Sequence, residues 1–202
     1  MARVKAAVLA SGRGSNLQAL LDAASDPVYP VAIALVIANE PDAYALVRAR
    51  RAGVSAQLID HRTFPDRATF DAALDAALRE AAIELVCLAG FMRRLTPAFV
   101  EGWKGRMINI HPSLLPSFKG LHTHRKALEA GVKLHGCTVH FVSPDLDDGP
   151  IIGQAAVPVL ADDDEDALAA RVLVEEHRLY PEALRLLAEG RLVVEGRRVR
   201  AT

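Results

Sequence analysis

Residues 4–38 read VKAAVLASGRGSNLQALLDAASDPVYPVAIALVIA. An apolar run, Val4–Leu9, ends in the turn Ser11-Gly12-Arg13-Gly14. A helical pattern follows from Ser15 to about Ala24, and Val31–Ala38, unlike the first run with its Lys5, has no polar residue at all. A strand with no polar position has both faces covered, as in parallel sheets flanked by helices rather than sheets with one face in water. Strand, tight turn, helix and strand in succession is the repeating unit of such folds.

Outward from that stretch the alternation continues. A helix is expected around Ala43–Ala52 and a short strand near Ala56–Ile59. Thr63-Phe64-Pro65-Asp66 opens the next helix, with a cap and a proline near its first turn. That helix carries Phe70, Leu74, Ala77 and Ala81 at helical spacing, and Ile83–Leu88 follows as a buried strand. Further strands are expected at Arg106–Ile110, Gly136–Val142 and Ile151–Val157. The last two are joined by the turn-rich Ser143–Pro150 and suit an antiparallel pair. A long helix from about Asp164 to Ala188 and a hairpin at Leu192–Val199 close the chain. The expected fold is α/β: an open, mostly parallel, doubly wound sheet with helices on both faces and antiparallel strands toward the C-terminus. With no linker, repeat or low-complexity tract, residues 1–202 read as one domain.

At 202 residues and 51% hydrophobic content, the chain has enough apolar side chains for a single buried core. A net charge of -1 gives no global footprint for nucleic acid or an anionic membrane, so neither is an expected partner. Cys87 and Cys137 lie in apolar runs without CxxC spacing, which points to buried thiols in a reducing compartment and away from zinc. Met1 to Leu9 is too short for a signal peptide, and Val31–Ala38 is far below a membrane span. The expectation is a soluble, cytoplasmic protein.

In sheets of this kind ligands bind beyond the carboxyl ends of the strands, so the segments found there carry the chemistry. Ser15 and Gln18 have capping-box spacing, and free N–H groups at a helix start make an anion site. The dinucleotide pattern fails because Leu17 stands at the third glycine position, and no Gly-Lys-Ser/Thr follows for a P-loop. A pocket for one phosphate remains, beside the reading of an ordinary tight turn. In Asn109-Ile110-His111-Pro112, alternation puts Asn109 and His111 on one face of a strand and Ile108 and Ile110 on the other. An amide beside an imidazolium can stabilise an oxyanion in acyl transfer, and a structural histidine is the other reading. The turn Asp145-Leu146-Asp147-Asp148-Gly149-Pro150 has poor calcium-loop spacing. It reads either as a solvated turn or as a carboxylate that keeps a nearby histidine protonated. Glu176 falls in the gap of the stripe Leu168, Val172, Leu179, Ala183 and Leu187. It is either paired or ligand-bound, or a stem at the stripe's edge with its head in water.

The pieces SGRGSNLQ at 11–18, LAGFMRRL at 88–95, NIHPSLLP at 109–116, GLHTHR at 120–125, GCTVHFV at 136–142, LDDGPII at 146–152 and EEHRLYP at 175–181 form a longer pattern. In this order, from Val4 to Leu187, the chain resembles the glycinamide ribonucleotide formyltransferase family of purine biosynthesis. The resemblance implies a formyltransferase fold and 10-formyltetrahydrofolate as co-substrate, with glycinamide ribonucleotide as the acceptor. It implies no metal and a monomer or homodimer. Asn109, His111 and Asp147 would be the catalytic trio, supported by His122 and Thr138, with His140 as an accessory. Gly12, Arg13, Gly14, Ser15, Asn16 and Glu176 would hold the ribonucleotide. Met92, Arg93, Arg94, Leu95, Val142, Asn109 and Asp147 would line the folate site. Arg94, Cys137 and Leu173 depart from the family's usual residues, and none belongs to the trio. The rival within the fold is formyltetrahydrofolate deformylase, in which water replaces the amine and which carries an extra N-terminal domain. Outside the chemistry, a non-catalytic nucleotide-binding module would leave the trio unexplained.

Overall fold

The structure, a computed structural model, describes residues 2–202; Met1, where the leader reading starts, lies outside them. The first half alternates strand and helix: β1 (Val4–Ala10), α1 (Ser15–Ser25), β2 (Val31–Ala38), α2 (Tyr44–Arg51), β3 (Ser55–Leu58), α3 (Arg67–Glu80) and β4 (Leu85–Leu88). The second half holds α4 (Pro97–Gly102), β5 (Met107–His111), α5 (Thr123–Glu129), β6 (Leu134–Phe141), β7 (Ile151–Pro158) and α6 (Glu165–Ala188). A separate hairpin, β8 (Leu192–Glu195) and β9 (Arg198–Ala201), follows α6.

Seven strands form one sheet in the order β3-β2-β1-β4-β5-β6-β7. Pairs from β3 through β5 are parallel, and β6 runs antiparallel to both β5 and β7. The expected open, mostly parallel sheet is therefore present, and the β6–β7 pair is joined by the anticipated turn. The chain runs outward from β1 to β3 and then crosses back to β4 on the other side of β1. The loops after β1 and β4 thus part company at a topological switch point, where such sheets bind ligands.

Strand alternation divides the core between the two faces. Ala6, Val8 and Ala10 of β1 pack with Leu17 and Leu20 of α1 and with Leu168, Val172 and Tyr180 of α6. Ala7 and Leu9 face the other way, toward Phe70, Leu74 and Leu78 of α3 and Phe99 of α4. Full burial of one such Leu or Phe stabilises by roughly 1.5–3 kcal/mol. Tyr180 Oη donates to the Leu88 and Ile108 carbonyls at 2.9 and 3.2 Å, which anchors α6 across β4 and β5. Among the described residues no helix is long and apolar enough to cross a membrane.

Three local details differ from the sequence reading. Within the expected opening segment Asp66 caps α3 by accepting from the Thr69 N–H at 2.8 Å, so Pro65 lies outside the helix, after a 3-10 turn at His61–Thr63. Helices α4 and α5 were not anticipated. Thr96 caps α4 and Pro97 occupies its first turn, but six residues are too few to display an apolar period. Leu187 is only partly buried, while Tyr180 and Leu184 widen the stripe of α6.

Candidate active site

The turn after β1 is built by Gly14, whose φ of 69° and ψ of 35° place it in the left-handed region. A Cβ there would lie 2.9 Å from the Ala45 Cα. Gly14 itself is the N-cap, with its carbonyl accepting from the Gln18 N–H at 3.0 Å, and no side chain caps the helix. The expected Ser15–Gln18 capping box is therefore absent. Gly14 turns the backbone one residue earlier, which puts Ser15 inside the helix. Gln18 instead bonds Asp22 and Arg48. An uncapped first turn leaves its N–H dipoles facing the loop mouth, the arrangement that suits an anion. Arg48 Nε donates to the Arg13 carbonyl at 2.8 Å and braces the loop from α2.

Glu176 does not lie at a solvated edge. It is 6% exposed, and its Oε2 accepts from Asn16 Nδ2 at 2.8 Å. Burial pushes its carboxyl upward while the Asn16 bond pulls it down. The contact joins α6 to the first turn of α1, so two residues expected on the ribonucleotide side meet directly. Asn16 Oδ1 is buried without a partner.

Asn109, His111 and Asp147 do converge. Asn109 and His111 lie on β5, opposite His140 and Thr138 of β6. His111 Nδ1 is 3.5 Å from Asp147 Oδ2, and its Nε2 is 3.1 Å from the Phe118 carbonyl. Both ring nitrogens thus face oxygen acceptors. Asp147 has φ of 48°, and its Oδ2 also accepts from the Gly120 N–H at 2.8 Å. Asn109 Nδ2 is 3.2 Å from His140 Nε2, and His140 Nδ1 is 2.8 Å from the Phe141 carbonyl. Burial holds the His140 imidazole below its usual range, which favours the neutral ring, with Nδ1–H donating and Nε2 accepting. That tautomer, assigned from the hydrogen bonds, orients the Asn109 amide.

Arg93, Arg94, Leu95, Val142, Asn109 and Asp147 line one cavity together with Leu88, Phe91, Val100, His140 and residues 143–146. Met92 does not line it; its side chain is exposed and its N–H donates to Ser11 Oγ at 2.7 Å. Thr138 is fully buried and acts on the turn after His111, donating to the Ser113 carbonyl at 2.7 Å and accepting from the Leu115 N–H at 3.1 Å. His122 is exposed at the start of α5 with φ of 58°. Neither makes a hydrogen bond to the trio. The buried thiols of Cys87 and Cys137 are pushed up to about 12 by desolvation and are not nucleophiles at neutral pH.

Two contributors escaped the sequence reading. Phe91 stacks on Phe70 with rings 6.5 Å apart and 11° between planes, forming an apolar wall of the cavity. Asn39, 1% exposed at the end of β2, accepts from Ser11 Oγ at 2.6 Å. Ser11 thereby ties together the ends of β1, β2 and β4. The one signal was a polar residue directly after an all-apolar strand.

The family model described as formyl transferase matches residues 4–184. The phosphoribosylglycinamide formyltransferase of Escherichia coli (strain K12) is 49% identical over 185 residues, 92% of this chain and 87% of that protein. The trifunctional purine biosynthetic protein adenosine-3 of Homo sapiens is 50% identical over 188 residues, 93% of this chain. The chain spans 19% of that protein and 14% of its counterpart in Drosophila melanogaster. Among solved structures, glycinamide ribonucleotide transformylase 1 from Symbiobacterium toebii superposes with a TM-score of 0.96 at 54% identity. That match covers 98% of this chain and 94% of the other.

Proposed function

Since this chain belongs to the formyl transferase family, we propose that it transfers a formyl group from 10-formyltetrahydrofolate to the amine of glycinamide ribonucleotide. The observation that carries this reading is that Asn109 and Asp147 line one cavity while His111, two residues from Asn109 on β5, stands 3.5 Å from Asp147. The residues work as a single formyltransferase domain on two small molecules, in the cytoplasm, as a monomer or homodimer. In this reading the cavity takes the folate's heterocycle, with Leu88, Phe91 and Val100 for apolar contact and the 143–147 loop for polar groups. Gly12 to Asn16 and Glu176 take the ribonucleotide.

In this mechanism the acceptor nitrogen attacks the formyl carbon, and the carbonyl electron pair moves onto oxygen. Asn109 Nδ2 donates to that oxygen and the positive charge of a protonated His111 stabilises it, which is worth most in a site closed to water. Asp147 Oδ2 stands 3.5 Å from His111 Nδ1 and fixes the ring's orientation. In this proposal Asp147 also positions a water that takes the proton from the amine and delivers it to the departing folate nitrogen. When the carbonyl re-forms, the bond to that nitrogen breaks.

The test mixes the protein with 10-formyltetrahydrofolate, with and without glycinamide ribonucleotide, and follows folate absorbance. Turnover is expected only with the acceptor; turnover without it would assign a hydrolase, and none in either case a binding module. In Asp147→Asn the turnover number should fall at least ~10²-fold, the scale of lost acid–base or oxyanion assistance. Adding His111→Ala should cost little more, because the two act as a unit. Fully additive losses would leave Asp147 as a loop-ordering residue.

A further inference from the structure

Asp148, next to Asp147, uses both carboxylate oxygens. Lys119 Nζ donates to Oδ1, and Arg197 Nη1 donates to Oδ2 at 2.7 Å. Lys119 lies in the loop between β5 and α5, and Arg197 in the turn of the β8–β9 hairpin. One residue along, the Gly120 N–H donates to Asp147 Oδ2 at 2.8 Å. Consecutive residues of one loop, Lys119 and Gly120, thus meet consecutive residues of the other, Asp148 and Asp147, as two rungs. Lys126 Nζ donates to the Lys119 carbonyl at 3.0 Å, which ties the outer rung to α5.

The inner rung needs such support. Asp147 sits at φ 48°, a left-handed conformation that costs a residue with a Cβ roughly 1–2 kcal/mol and persists where neighbours over-determine it. We propose that Asp148 is a positioning residue. With Lys119 and Arg197 it clamps the β6–β7 loop to the β5–α5 loop and the C-terminal hairpin, and so sets where the Asp147 carboxylate stands relative to His111. Bonds from Arg197 and Lys119 hold the Asp148 carboxyl well below the usual range, so it stays charged at any working pH. Its side chain is 29% exposed and that of Arg197 70%, so added salt weakens the clamp rather than a change of pH. The inference rests on the assignment of Asp147 to formyl transfer, and its test therefore carries a readout apart from turnover.

The experiment compares wild type, Asp148→Asn, Arg197→Gln and Arg197→Lys by steady-state kinetics at low and high salt. Exchange of the Gly120 amide hydrogen is followed by NMR in the same samples. Asp148→Asn and Arg197→Gln should lower kcat ~3–10-fold, the scale of one or two partly exposed ion pairs. KM for the ribonucleotide should be unchanged, and Gly120 exchange should quicken. High salt should bring wild type toward Asp148→Asn and leave that variant unmoved, and Arg197→Lys should restore most of kcat. Wild-type kcat in both Asp148→Asn and Arg197→Gln overturns the proposal, as does a kcat loss without faster Gly120 exchange. Absence of formyl transfer by wild type sinks the assigned reaction and the catalytic meaning of the clamp with it. The Gly120 amide still tells that failure apart from the absence of the clamp itself.

Discussion

Glu176 places a carboxyl where water is nearly excluded, with Asn16 donating to it at 2.8 Å. Its folded-state pKa is raised by burial. A raised value means that the protonated form suits the fold, so its contribution to stability is present at acid pH and is lost as the pH rises through the folded value. An ionised Glu176 therefore weighs against folding, which is tolerable where the charge serves a ligand. Glu176→Gln keeps an oxygen to accept from Asn16 and removes the charge. It should melt at or above wild type, while KM for the ribonucleotide rises ~10-fold or more, the scale of losing a hydrogen bond to a charged group. Thermal melts and steady-state kinetics on one preparation decide the matter; lower melting with an unchanged KM would make Glu176 a structural partner only.

At the scale of the strand–turn–helix unit, the two glycines after β1 have different tasks. Gly14 is held in the left-handed region against Ala45, so Gly14→Ala strains the backbone by roughly 1–2 kcal/mol before any ligand is considered. Weaker ribonucleotide binding in such a variant would say little about a phosphate. Gly12 has no atom within 4 Å of an added Cβ, so Gly12→Ala tests the loop cleanly. It should melt like wild type and bind the ribonucleotide more weakly than the folate in calorimetric titrations, while Gly14→Ala should melt lower. Equal weakening of both ligands by Gly12→Ala would remove the loop from the ribonucleotide site. The same unit shows what local sequence encodes. Apolar runs marked β1, β2 and α1, whereas the helix start depended on a backbone conformation that Ser15 and Gln18 did not reveal.

Across the whole molecule, acid sensitivity should trace to β6 and the layer above it. His135 is 1% exposed, its ring nitrogens are buried, and its ring packs edge-on to His124 at 5.3 Å. Burial first, then the nearby His124, pushes its pKa from 6.5 to about 4. For a depressed group, stability is full above the unfolded value and is lost as the pH falls from 6.5 toward 4. The melting temperature should drop between pH 7 and pH 5, and His135→Phe should flatten that drop; an unaltered profile in the variant would place the acid sensitivity elsewhere. By itself the sequence determined the α/β alternation, the two-sided burial of β2 and the shared face of Asn109 and His111. Each of these follows from side-chain periods that act within a few residues. Only the tertiary structure decided that Asn109 stands opposite His140, that Asp147 reaches His111, and that Glu176 closes on Asn16. Those contacts join segments far apart along the chain. Their ordering is set by how the strands pair and the two core layers pack as a whole, which no local pattern carries.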